Sequence, residues 1–423
     1  MDALMNVSVL LKILLSLTAI LLVNKLSRSL SLALLTGTGI LAVWTGHGLS
    51  SSLGVAAERF VSLDNAMLLA IIFLVIWLSS QMEKTGVMRD LVGSLRSFLK
   101  PRTAMATLPA VIGLLPMPGG ALFSAPLVDD ADERNEVSPL LKTRINYWFR
   151  HIWEYTWPLY PGLILTTDIS GLQVWQIFLV GIPMMAVSIA AGYIFILRRA
   201  RVSRGHTAPA EHHILRLLSP IFLIIAVYAL ITLLLPAAAD ISRYLPMALG
   251  IIAAMAYLQV MRPLSAQQWR EIILSGRAVK MVIIVALVRI YGAFIETPLP
   301  DGSLLMEQMR AELHTLGIPL ILLVMIIAFV SGLTTGVSVG FVGASFPIAF
   351  SLLGSNPALN EMLAMLAVAY PFGFIGVMLS PVHVCLIVTN EHFKSSLLKS
   401  IVSLVPPSVV VLAFSFLLHT MLI

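Results

Sequence analysis

Between Arg144 and Thr167 a largely apolar stretch carries Asn146, Arg150 and Glu154 at every fourth position. That spacing puts all three on one face of a helix, with Tyr147, His151 and Tyr155 on the neighbouring face. Ionisable groups inside an apolar segment are costly, so they face a cavity or each other. Arg150 suits the carboxylate of a small anionic solute, and Glu154 or His151 can carry a coupling proton. A purely structural Arg150–Glu154 pair is the simpler reading of the same spacing.

Three further clusters have polar groups or backbone breaks in apolar surroundings. Leu114–Pro126 reads LLPMPGGALFSAP, in which Pro116 and Pro118 lack an amide donor and Gly119 and Gly120 loosen the backbone. A non-helical backbone at membrane depth needs protein or a water-filled cavity around it. With Ser124, this tip is a candidate anion site, since half-helix N-termini present free amides. Ser331–Gly340 brings Thr334, Thr335, Gly336 and Ser338, a stretch whose hydroxyls and unwound carbonyls suit an anion or a dehydrated Na⁺. Close helix packing through small residues explains the same composition. The fourth cluster, Tyr370–His383, contributes Ser380, Pro381 and His383, with Tyr160 as the counterpart of His383 in the first half. Arg289 and Glu296 read as anchors, and Asp129 and Asp130 as a solvated turn.

No phosphate-binding Gly-Lys-Ser loop, HExxH, GxSxG or paired cysteines occur, so an enzyme is not expected. The single Cys385 excludes an internal disulfide and a cysteine-rich metal site, and neither metal nor cofactor is expected beyond a coupling H⁺ or Na⁺.

The elements that must position these groups follow from composition. The chain has 423 residues, 58% of them hydrophobic and 11% charged, with mean hydropathy +0.95. Soluble domains carry about 25% charge. Runs approaching the ~20 apolar residues that cross a bilayer recur throughout. The chain therefore reads as an all-α polytopic membrane protein. The formal charge of +6 reflects loop lysines and arginines beside the membrane, not nucleic-acid binding. No basic residue precedes the first apolar run, so a cleavable signal peptide is not expected.

Spans are expected at about 3–23, 30–48, 63–80, 144–167 and 173–197, then 214–236, 244–261, 278–295, 362–389 and 397–421. Polar connections lie between, at Leu49–Asn65, Gln81–Arg102 and Arg262–Arg277, with an acidic loop at Asp129–Glu133. The arms on either side of Pro116–Gly120 are too short to cross ~30 Å each. They predict a re-entrant hairpin at 103–128, paired with a second at 318–353. The segments 144–167, with Pro158 and Pro161, and 362–389, with Pro371, Gly373, Gly376 and Pro381, predict broken helices. The breaks recur at nearly one offset, giving two repeats, 1–205 and 206–423. Paired interrupted segments of this kind point to a transporter site.

Placing Gln81–Arg102 in the cytoplasm leaves only Arg59, Arg243 and Arg310 of the 27 lysines and arginines outside. Lys12, Arg150 and Arg289 then lie within spans, and the rest are cytoplasmic. Both termini are expected outside, and the two repeats are inverted.

The run LPMPGGALFSAP with Asp129–Asp130, followed by NYWFRHIWEYTWPLYPG from Asn146 to Gly162, resembles an uncharacterised prokaryotic membrane family, domain of unknown function 401. The resemblance covers nearly the whole chain. It implies the ion transporter superfamily, beside gluconate, citrate, dicarboxylate and arsenite carriers. It further implies an inverted-repeat fold in the cytoplasmic (inner) membrane and an elevator-like homodimer. Sodium-dependent dicarboxylate carriers of that superfamily have Ser-Asn-Thr tips, where this chain has Pro-Met-Pro-Gly-Gly and Thr-Thr-Gly-Val-Ser, so no substrate carries over. The expectation is a secondary active transporter of a small anionic, organic acid-like solute. The alternatives are a cation/proton antiporter and, less expected, an ion channel or membrane enzyme.

Overall fold

The computed structural model describes residues 8–44, 46, 49–115, 120–203, 214–299 and 302–423. Among the described residues every regular element is a helix. The first half contains α1 (Val9–Ser27), α2 (Leu30–Trp44), α3 (Leu49–Val61), α4 (Leu63–Lys84), α5 (Val87–Phe98), α6 (Pro101–Gly113), α7 (Ala121–Ala131), α8 (Pro139–Arg150), α9 (Pro161–Ser170) and α10 (Val174–Phe195). The second contains α11 (Ile214–Leu234), α12 (Ala237–Ile241), α13 (Leu245–Met261), α14 (Ala266–Ile273), α15 (Gly276–Glu296), α16 (Leu305–Thr315), α17 (Leu320–Thr335), α18 (Ser338–Ser351), α19 (Leu359–Met378), α20 (Val384–His392) and α21 (Leu397–Leu422).

Among the described residues, seven helical segments are long and apolar enough to cross a membrane, eight if α16 and α17, bent by 114°, count as one. This is fewer than the ten expected. Helix α2 has 15 residues and α13 has 17, or about 22 and 26 Å at 1.5 Å per residue, short of a ~30 Å core. The fourth expected span is divided between α8 and α9.

Local chemistry sets the helix boundaries. Ser138 caps α8 by accepting from the Leu141 amide at 3.4 Å, and Pro139 occupies the first helical position. Pro158 and Pro161 cannot donate to a continuing ladder, so α8 passes through a 3-10 turn at Ile152–Tyr155 before α9 begins on Pro161. Pro381 likewise separates α19 from α20. Pro371, Gly373 and Gly376 do not interrupt α19, because tight packing holds the helix through them. The expected break at Ser331–Gly340 narrows to Gly336–Val337, where Gly336 takes φ +65°.

The three segments read as polar connections contain helices α3, α5 and α14, and the expected acidic turn begins on a helix. Leu49–Val61 forms α3, packed on α4 and α15. Asp129 and Asp130 lie in the last turn of α7 rather than in a loop, and both remain open to solvent while holding ion pairs. Asp129 bonds the Lys142 ammonium at 2.8 Å and His392 at 2.9 Å, while Asp130 pairs with Arg96 at 3.2 Å.

The interior is built on α9, α18 and α19. In α19 83% of the apolar window is buried, against 22% in α11, so α19 is central and α11 peripheral. Helices α17 and α19 meet backbone to backbone. A Cβ on Gly332 would fall 2.0 Å from the Gly373 carbonyl oxygen, and one on Gly376 would fall 2.2 Å from that of Phe329. Lipid gives no hydrophobic drive between helices, so such contact supplies the cohesion.

The two broken helices are joined along one seam. Asn146 Nδ2 donates to Thr389 Oγ1 at 3.1 Å, and the Tyr147 hydroxyl donates to the Met378 carbonyl at 3.1 Å. The hydroxyls of Thr143 and Ser395 meet at 2.7 Å. Beside these, His392 reaches Asp129.

Candidate functional site

Helix α8 ends where three helices begin. Its last residue, Arg150, faces Tyr160–Pro161 at the start of α9, Val337–Ser338 at the start of α18, and His383–Val384 at the start of α20. All of these residues line one cavity of about 120 Å³. None of the three N-cap residues, Tyr160, Val337 and His383, caps its helix with its own side chain. The first amides of a helix have no intrahelical partner, and its N-terminal end is positive. The cavity thus collects three positive helix ends.

Its side chains add chemistry of both signs. Arg150 is 2% exposed, and its Nη1 lies 3.3 Å from His151 Nε2 and 3.5 Å from Cys385 Sγ. Its Nη2 rests where a Cβ of Gly120 would be, at 2.2 Å, so the absent side chain there makes room for the guanidinium. Glu154 lines the same space. The Ser338 hydroxyl approaches its carboxylate, and its Oε2 is buried with no hydrogen-bond partner among the described residues. Arg277, exposed at the start of α15, also borders the cavity and marks its open side. The imidazoles of His151 and His383 lie edge to face at 5.0 Å, with the Tyr147 ring 4.9 and 5.4 Å away.

Of the residues singled out by sequence, the cavity gathers Arg150, His151, Glu154, Tyr160, Gly336, Ser338 and His383. The Tyr160 hydroxyl donates to the Gly113 carbonyl, tying α9 to the end of α6. Pro116, Pro118 and Gly119 lie outside the described residues. The others stand outside the lining. The Ser124 hydroxyl turns to the Ala121 carbonyl at 3.4 Å, and Asn146 lies in the seam. Thr334 and Thr335 donate back to Val330 and Ser331 at 2.7 Å each. Ser380 donates to the Leu333 carbonyl at 2.6 Å, holding the α19–α20 break against α17.

Two residues escaped the sequence reading. Cys385 joins the cavity through its place two residues after His383, a spacing too common to signal anything alone. Asp168 accepts from Arg289 Nη1 at 2.5 Å and from the Tyr244 hydroxyl at 2.7 Å. It gives Arg289 a partner other than Glu296. The signal was present, since Asp168 is an acidic group within an apolar run.

Many apolar spans, two broken helices and a buried polar cavity at their breaks define a multi-pass helical membrane protein. The chain belongs to the family described as protein of unknown function (DUF401), whose sequence profile matches residues 8–422. Its fold is similar to that of the Alcanivorax borkumensis YdaH transporter, whose crystal structure is described as revealing an unusual topology. The TM-score is 0.50, with 15% identity over 88% of each chain. No curated protein sequence matches the chain.

Proposed function

We propose that the protein is a secondary active transporter of a small, organic acid-like anion, driven by H⁺ or Na⁺. The observation that carries this reading is the convergence of three helix starts with Arg150 and Arg277 at one cavity. Arg150 binds the anionic group through its guanidinium fork, which matches a carboxylate in two parallel bonds. Glu154, unpartnered at Oε2, takes the coupling proton and so removes the negative charge that would oppose an anion. Asn146, Ser124, Thr334, Thr335 and Ser380 then support the site from behind.

The order of elements supports inverted repeats at 1–205 and 206–423. The pairs α6–α7 and α17–α18 each precede a broken helix. In this reading both pairs are re-entrant hairpins. They move with the broken helices as a transport domain in the inner membrane, in a homodimer with both termini outside. The likeness to a solved transporter fold is consistent with this class of function.

The experiment is solute uptake into proteoliposomes across an anion panel under imposed H⁺ or Na⁺ gradients. Saturable, gradient-driven uptake that Arg150→Gln abolishes is expected. Gradient-independent flux, or unchanged uptake in Arg150→Gln, overturns the assignment. The unpartnered Glu154 oxygen also fits a cation/proton antiporter, in which Arg150 would hold Glu154 rather than a solute.

A further inference from the structure

We propose that His151, His383 and Cys385 form a binding site for one thiophilic metal ion of the Zn²⁺ or Cu⁺ class, in competition with the Arg150 guanidinium. The three ligand atoms already lie within 4.8 Å of one another, and all three residues are buried. Around a tetrahedral ion with nitrogen and sulfur ligands, donor atoms stand about 3.3–3.8 Å apart. An approach of about 1 Å at the widest pair completes the set.

The donor set is oriented for the task. His151 Nδ1 is 2.6 Å from the Tyr147 carbonyl oxygen, which can only accept, so Nδ1 carries the proton. Its Nε2 is left with a lone pair turned toward Cys385 and Arg150. Metal-bound histidines are held by this kind of bond from the other ring nitrogen. Cys385 lies within hydrogen-bonding reach of both imidazoles. His383 is 8% exposed, and its Nδ1 has no partner among the described residues. The cavity beside them leaves space for a water as fourth ligand, and Glu154 borders the same space.

Chemistry selects the ion. One thiolate and two imidazoles suit Zn²⁺ and Cu⁺, while Na⁺, Mg²⁺ and Ca²⁺ take oxygen ligands. The site is therefore distinct from a coupling-ion site. Arg150 Nη1 approaches two of the same lone pairs, at 3.3 Å on His151 and 3.5 Å on Cys385. A guanidinium and a metal ion cannot share them, because two like charges at that range repel strongly away from water. Binding forms a metal–sulfur bond and breaks the Cys385 S–H bond, and the proton goes to the buffer.

This inference goes beyond the transport reading, and its test needs no flux. Purified full-length protein in detergent is titrated with Co²⁺ and followed by absorbance, with Zn²⁺ as competitor. Expected are one Co²⁺ per chain, a thiolate-to-cobalt charge-transfer band, and release of one proton. Cys385→Ser removes the band. His383→Ala weakens binding by tenfold or more. Arg150→Gln tightens it by at least tenfold, a gain that misfolding cannot produce. No band in either wild type or Arg150→Gln overturns the proposal. So does equal affinity in those two proteins, or a band that survives loss of both histidines.

Discussion

The Asp168–Arg289 pair gives a sharp test of how α9 is held against its surroundings. Asp168 has 1% of its side-chain surface exposed and Arg289 has 16%. Removing one partner of a buried pair costs about 3–5 kcal/mol, because the other is left charged and unpaired. The unequal exposure ranks the two variants. Arg289→Met strands a carboxylate almost without water, with the Tyr244 hydroxyl its one remaining side-chain donor among the described residues, so its cost lies near the top of that range, about 4–5 kcal/mol. Asp168→Asn leaves a guanidinium that water partly reaches and preserves an oxygen for Tyr244. Its cost lies near the bottom, about 3 kcal/mol. The double variant removes both charges and is expected to cost about 2–3 kcal/mol less than the sum of the singles. Equilibrium unfolding in mixed detergent–SDS micelles reads all three. Singles within about 1 kcal/mol of wild type, or a strictly additive double, would refute the reasoning.

Three further outcomes are expected. Gly376→Val drives side-chain atoms into the Phe329 carbonyl and is expected to cost at least 1–3 kcal/mol, while Leu322→Val on the exposed face of α17 stays within about 0.5 kcal/mol, both by the same unfolding assay. Glu154→Gln is expected to preserve anion exchange while uncoupling net uptake from the pH gradient; in the antiporter reading it abolishes all flux, so isotope exchange in liposomes separates the two. The Ser203 hydroxyl and amide donate to Glu136 at 2.7 and 2.6 Å and hold its carboxyl below the usual carboxylate range. A depressed pKa stabilises above the unfolded value and is lost as pH falls through the folded one. NMR titration should find the Glu136 pKa rising toward its ordinary value in Ser203→Ala, and an unchanged value would sink the assignment.

The sequence was most legible where membrane physics leaves few choices. Apolar length and proline position located most helices, and the α8–α9 and α19–α20 breaks fell where Pro158, Pro161 and Pro381 indicated. It was least legible where packing decides. Pro371 sits inside a continuous helix, because burial in protein tolerates the lost hydrogen bond. Thr334 and Thr335 looked like ligands by type, yet their hydroxyls donate to their own helix. Within the cavity, ionisable groups in an apolar run brought out Arg150, Glu154 and His383, although α8 ends at Arg150 and the one-face helical spacing from Asn146 does not continue to Glu154. The meeting of His151 with Cys385 spans more than half the chain, and no local pattern encodes such a distance.

The seam between the broken helices has a mechanical consequence. Sliding one past the other would break the Asn146–Thr389, Tyr147–Met378 and Thr143–Ser395 bonds together. At about 1 kcal/mol each, that sheared state would hold fewer than about one molecule in a hundred. The two broken helices therefore behave as a single stiff lever. The cavity can then change shape where other helices border it, as at Arg277 on its rim, and not between the walls that carry Arg150 and His383.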